Sequence, residues 1–250
     1  MATSRRDGVG LLLEGVVILV SILAAFFLEG WRDDHELARE LSEELESVQL
    51  ELERNRDLAE LEIVALDRIL AGGNALIAAL VAADGAPYVA VVDTLAWLGA
   101  TWNVSFSPSL GAVDALIASG RLAQVANPEL RLGLAGLRDA VTDAFEEEVF
   151  AREVSSRQVL PLVGEHVDLN SLMEVGNKFF VPAGADGVTP QERGRNRALQ
   201  SSGTIDFPTR TAVRSAIGHR LGWLSSARSE FQGLQLHLET LIDWVSEELD

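Results

Sequence analysis

Twenty consecutive residues, Val9–Leu28, form an apolar run broken by one charge, Glu14, and no other feature of the chain limits its fold and placement so strongly. As a helix at ~1.5 Å per residue the run reaches ~30 Å, the thickness of a bilayer's hydrocarbon core. Trp31 follows at the level where aromatic rings sit among headgroups. The expectation is a single membrane-spanning helix over 9–28, with everything after it in water. A cleaved signal peptide would be shorter and would end in a small-x-small site. Here the segment closes on Phe26-Phe27-Leu28-Glu29-Gly30-Trp31, bulky where small residues are required, so an uncleaved anchor is expected. Arg5 and Arg6 precede the span, while Glu29, Asp33, Asp34 and Glu36 follow it beside Arg32 and Arg39. Basic flanks stay in the cytoplasm. The expected arrangement is a single-pass protein of the inner (cytoplasmic) membrane. Residues 1–8 are then a short cytoplasmic N-terminus, and 29–250 a periplasmic or extracellular domain.

The chain holds 38 acidic and 20 basic residues, a formal charge of −18. Such a balance argues against nucleic acid and against adhesion to anionic headgroups. Lys178 is the single lysine, a matter of composition more than of function. With no cysteine, disulfides are impossible in any compartment. The hydrophobic share of 48% suffices for a core beyond the span.

After Trp31 the periodicity is helical. Leu41, Leu45, Val48, Leu52, Ala59, Ile63, Leu66 and Leu70 recur mostly at three- and four-residue steps, the spacing of one apolar stripe. No proline interrupts the chain before Ala86, so the span is expected to continue into a long helix ending near Gly72-Gly73. Asn55 falls on the stripe and reads as a partly wet core position or a register-fixing one. A second helical block follows Pro87. Ser107-Pro108 predicts a helix start, Ser119-Gly120 a glycine stop, and Asn127-Pro128 another start, with a stripe of Leu130, Leu134, Leu137, Val141, Phe145 and Val149 running to about Val159. Residues 168–208 are irregular, with short helices at Asn170–Val175 and Pro190–Gln200 and a conceivable strand at Lys178–Val181. A last helix from Pro208-Thr209 carries Val213, Ile217, Leu221, Leu224, Phe231, Leu234, Leu238, Leu241 and Val245. The fold class expected is all-α: a transmembrane helix followed by an elongated up-and-down helical bundle.

The motifs of catalysis are missing. His35, His166, His219 and His237 have no paired spacing, and there is no HExxH, calcium loop, GxGxxG, P-loop or GxSxG. No catalytic, cofactor-binding or metal-binding residue is therefore nominated, and no enzyme is expected. Most carboxylates read as a solvated acidic face, and Asp186-Gly187 as a turn. Glu14 stands apart. Gly10, Glu14, Val17, Ser21, Ala24 and Leu28 share one helix face, half of it small residues with one polar group, which is how packed membrane helices meet. Gly10, Glu14, Ser21 and Ala24 are the candidates for helix association in the membrane, and Trp31 for an interfacial anchor. The alternatives for Glu14 are snorkelling to the headgroups or a proton path.

The span Glu14-Gly15-Val16-Val17-Ile18-Leu19-Val20, closing at Leu28-Glu29-Gly30-Trp31, together with Leu116-Ile117-Ala118-Ser119-Gly120-Arg121-Leu122 and Asn127-Pro128-Glu129-Leu130-Arg131, resembles an uncharacterised bacterial family of single-span membrane proteins, a domain of unknown function. The resemblance implies an anchor followed by a helical domain, and brings no activity, cofactor or catalytic residue. The expected function is a membrane-anchored interaction or scaffold protein with a protein partner or a second copy, or an accessory subunit of a membrane complex. A sensory, ligand-binding bundle acting through a partner is one alternative, with its small-molecule ligand unspecified. A homo-oligomeric channel or proton-coupled device built on Glu14 is the other.

Overall fold

The computed structural model describes residues 4–82, 88–89, 94–165, 204–205 and 210–249. The helices are α1 (Ser4–Ala82), α2 (Thr94–Thr101), α3 (Gly111–Ala118), α4 (Pro128–Val154), α5 (Leu160–Gly164) and α6 (Arg210–Leu249), so the chain is all-α. Tyr88–Val89 pairs antiparallel with Thr204–Ile205, a two-residue ladder in register Tyr88 to Ile205. The helices expected at Asn170–Val175 and Pro190–Gln200, the strand at Lys178–Val181, the turn at Asp186-Gly187 and the start at Pro208-Thr209 lie outside the described residues.

Three long helices share one device, a strict alternation of three- and four-residue steps. In α1 the buried set runs Leu45, Val48, Leu52, Asn55, Ala59, Glu62, Leu66, Ile69 and onward to Leu80. In α6 it runs Val213, Ile217, Arg220, Leu224, Ala227, Phe231 and onward to Val245. In α4, Leu130, Leu134, Leu137, Ala144, Glu148 and Ala151 are buried, and Ser155, just past its end, continues the series. A repeat averaging 3.5 residues keeps each seam facing its neighbour by slight supercoiling. α6 lies against both α1 and α4. It is antiparallel to α1, as Gln49 donating to Ser246 (3.0 Å) and Arg228 paired with Asp67 require. It is antiparallel to α4 as well, since Gly133 lies near Leu241 and the Phe150 ring sits 4.9 Å from the Trp223 ring.

The structure moves several expected boundaries. α1 does not stop at Gly72-Gly73 but continues to Ala82. The glycines serve as a seat. A Cβ on Gly99 would lie 2.5 Å from the Gly73 nitrogen and 2.7 Å from the Gly72 Cα, so α2 rests backbone to backbone on α1. The second helical block begins later than Val89, which belongs to the ladder. Ser107-Pro108 does not start a helix either: α3 begins at Gly111 with no side-chain cap of its own. Its amides are capped from α1, where Glu51 accepts from Ala112 N–H (2.9 Å), Val113 N–H (3.1 Å) and the Ser109 hydroxyl (2.6 Å). A carboxylate satisfies orphan N–H groups and suits the positive end of the helix dipole.

Asn55 completes this clasp. It is fully buried, not partly wet, donating to Ser109 C=O (2.6 Å) and accepting from Ser109 N–H (3.0 Å). It does fix register, but of the extended 102–110 segment and not of a second helix. Gly120 stops the next turn at φ 77°, a left-handed conformation open to glycine. Asn127 caps α4 as expected, accepting from Glu129 N–H (2.9 Å) and Leu130 N–H (3.1 Å). Glu248 of α6 accepts from Asn127 N–H (3.1 Å), so α4, like α3, starts on a carboxylate lent by another helix. Beyond Val154 the chain widens into a π-helical turn, Ser155–Val159, before α5 passes through Pro161.

Two consequences can be measured. Gly99→Ala should destabilise by more than ~2 kcal/mol, because backbone and not a side chain must yield. Gly30→Ala, where an added Cβ meets nothing within 4 Å, should stabilise by up to ~1 kcal/mol. Chemical denaturation of both variants checks the contrast. Asn55→Ala should cost ~2–3 kcal/mol, since it removes both hydrogen bonds to the Ser109 peptide and leaves a gap at a fully buried position. A midpoint unchanged from the parent would mean the clasp is dispensable.

Candidate functional site

Two regions hold chemistry: the apolar segment of α1 and a charged layer inside the bundle. In the first, every large apolar side chain described from Val17 to Leu28 is between 48% and 75% exposed, and nothing among the described residues covers them. Among the described residues α1 is the one helix long and apolar enough to cross a membrane. Gly10 and Glu14 lie on α1, with side chains outside the described set. Ala24 is exposed on the same helix. Ser21 is exposed, and its hydroxyl donates to Val17 C=O at 2.8 Å, so its own helix satisfies it. Trp31 is 54% exposed with its ring 4.3 Å from that of His35. The four expected association residues thus share one helix, and no other described element touches Ser21 or Ala24.

The second region has no counterpart among the motifs of the sequence. Glu62 and Glu148 occupy seam positions of α1 and α4 and are 6% and 2% exposed. Glu148 is held by Arg152, one turn on, whose guanidinium donates to it and also lies 5.5 Å over the Phe145 ring. Glu62 has no hydrogen-bond partner for its buried Oε1. Burial, first, and the nearby Glu148 carboxylate, second, push Glu62 up to about 8, against a lesser opposing pull from Arg152. Burial also raises Glu148, while the hydrogen bond and charge of Arg152 oppose the shift. Glu148 therefore has the counter-ion and Glu62 does not. Glu62, raised to about 8, can hold and release a proton near neutral pH.

Arg220 is the third charge in the seams and is fully buried. It is held by two backbone carbonyls and one side-chain amide oxygen, donating to Gly99 C=O (2.9 Å), to Trp102 C=O and to Asn103 Oδ1 (3.3 Å). A cation on these carbonyls suits the negative end of α2. Burial lowers its pKa to about 10, still charged at neutral pH.

One cause hides these three residues in the sequence. Apolar periodicity phases the stripes on Ile63, Val149 and Leu221, each one residue away from Glu62, Glu148 and Arg220. In the structure Val149 is 43% exposed, Phe145 is only half-buried, and Ala144 and Glu148 take the core. A signal exists nonetheless: the step from Ala59 to Leu66 divides as three and four through Glu62.

On the opposite face of α4, beside the π-helical turn, a shallow cleft of about 260 Å³ is lined by Phe150, Arg157, His219 and Trp223, among others. Trp223 Nε1 donates to His219 Nε2 at 3.2 Å, and Arg157 pairs with Glu153 at 2.8 Å. Among the described residues no group of three or more metal-ligating side chains is assembled.

The raised Glu62 gives a pH signature. Its folded pKa exceeds its unfolded one, so its contribution is most favourable below about 4.5 and is lost as pH rises to about 8. Glu62→Gln should leave stability nearly unchanged at pH 4 and raise it increasingly toward pH 8. The gain should reach a few kcal/mol at most, since each tenfold change in proton affinity is worth ~1.4 kcal/mol. Melting temperatures of both proteins across that range check it; parallel curves would place Glu62 in water.

No family model, no curated protein and no solved structure matches this chain.

Proposed function

We propose that the protein is a membrane-anchored helical interaction module, a scaffold or accessory subunit whose bundle stands off the bilayer on its own anchor helix. One observation carries the reading: α1 runs unbroken from Ser4 to Ala82, so the exposed apolar segment and the inner seam of the bundle belong to one rigid element. Leaving Val17–Leu28 in water would expose a long apolar cylinder, which soluble monomers avoid. A bilayer removes that cost. Between Leu28 and Leu45, the first fully buried residue of the seam, lie ~25 Å of mostly exposed, acidic helix. With Arg5 and Arg6 retained in the cytoplasm, the bundle lies outside it. The acidic surface then faces partners and stays clear of anionic lipid. The cleft at Phe150 and Trp223 favours a second reading, in which the bundle also receives a ligand and passes its effect through a partner.

Alkaline phosphatase fused after Asp250 should be active in a bacterial host, while a fluorescent protein that matures only in the cytoplasm should be dark. The full chain should resist alkaline carbonate and yield to detergent. The reverse pair of reporter results would invert the orientation, and release by carbonate would remove the anchor.

A further inference from the structure

Opposite its buried seam, α1 carries a second stripe at the same three- and four-residue steps. Leu50, Arg54, Asp57, Leu61, Val64 and Arg68 lie on it, and four alanines at 71, 75, 78 and 82 continue it. Each is displaced by two residues from a seam position, about 206° at 3.5 residues per turn, and so points away from the bundle. All are exposed, Leu50 to 68%, Leu61 to 62% and Val64 to 40%. Apolar residues at alternating three- and four-residue spacing on a solvent face have the pattern of a coiled-coil surface without its partner helix.

We propose that a second copy of this chain occupies this face, α1 against α1, parallel and in register; the direction rests on the anchoring proposed above. Two copies held by the same span in one bilayer rise in the same sense from the same depth, so each residue meets its own equivalent. The stripe fits itself under that condition. In a parallel pair a residue at the Arg54 position enters a hole formed by residues 50, 53, 54 and 57 of the other helix. Here these are Leu50, Glu53, Arg54 and Asp57, so each guanidinium meets two carboxylates of the second copy against one guanidinium, a net attraction. Within its own chain Arg54 makes no ion pair among the described residues, and Asp57 holds only its neighbour Arg56, at 2.7 Å.

Charge favours this face over the rest of the surface. The chain carries −18, yet from Leu50 to Arg68 the stripe holds two arginines and one aspartate, so it escapes the repulsion that the acidic remainder would impose on another copy. Position 14 lies ten helical turns before Leu50, and position 21 about eight, so the polar positions of the span fall on the same side as the stripe. The bundle portion alone is ~50 Å long and ~10 Å wide, roughly 500 Å² per copy, below the ~800 Å² per partner of a stable interface. Confinement of both copies in one membrane supplies the remainder by raising their effective concentration.

The chain has no cysteine, so a single introduced one reports unambiguously. Leu50→Cys and Leu61→Cys, each in the full chain in native membranes, should give disulfide-linked dimers as the main species on mild oxidation. The two sites are ~16 Å apart along the helix, so both can link to themselves only in a parallel, in-register pair. Leu132→Cys and Leu236→Cys, exposed on α4 and α6, should stay monomeric. Adding Arg54→Glu to the Leu61→Cys chain should reduce the dimer severalfold, and Arg54→Lys should spare it. Crosslinking no greater at Leu50 and Leu61 than at Leu132 and Leu236, or indifferent to Arg54→Glu, overturns the proposal. If those crosslinks fail while the chain still resists carbonate, the paired face falls and the anchor stands. If carbonate releases the chain, the anchor falls, and the same four cysteines judge the face in solution.

Discussion

α6 lies between α1 and α4, and its seam must satisfy both at once. A 3.5-residue repeat fixes which side chains enter that space, so the positions are dictated by geometry and any polar residue placed there must find its own partners. Most are leucine, isoleucine, valine or alanine. The polar exceptions are met differently. Asn55 and Arg220 bind backbone carbonyl or amide groups of the segment returning from α2, so the bundle's extended connection is held by polar residues in two different helices. Glu148 is held by Arg152. Glu62 has no such partner and is accommodated as an acid and not as an anion, which makes the tightness of this core depend on pH at one position.

Much of the architecture is legible in the chain alone. The long helices, their apolar faces, the Asn127 cap and the Gly120 stop all follow from local chemistry, where the residue and its effect lie within one turn of each other. What is not legible has non-local causes. The cap of α3 comes from Glu51, more than fifty residues earlier, so Ser107-Pro108 looks sufficient when it is not. Gly72-Gly73 resembles a helix end because the backbone of α2 that needs those glycines is invisible in their neighbourhood. The buried charges are hidden by phase: a stripe followed at 100° per residue drifts from one that supercoils, so a reading that follows Ile63 and Leu221, both buried, passes over Glu62 and Arg220 buried beside them. Of the candidate site, Ser21, Ala24 and Trp31 lie on the exposed segment, while the charged layer emerges only once the register of all three helices is known.

The protein thus combines one long helix with a bundle built upon that helix's C-terminal half. In the proposed arrangement the same helix is anchor, stalk and core, with no linker to absorb a mismatch among these roles. Arg121 joins the stalk to the bundle by gripping Glu40 (2.7 Å) and Glu44, below the first buried leucine, so the bundle is clamped before its apolar core begins.

The continuity of α1 has a consequence for how such a chain can change in length. An insertion of one residue between Leu28 and Leu45 would turn everything on the N-terminal side by ~100° relative to the bundle, and four would turn it by ~40°. Seven would leave it within ~20° while lifting the bundle by ~10 Å. The stalk is therefore a vernier in which height and azimuth are coupled, and lengths differing by sevens are those that move the bundle without rotating it against the segment below.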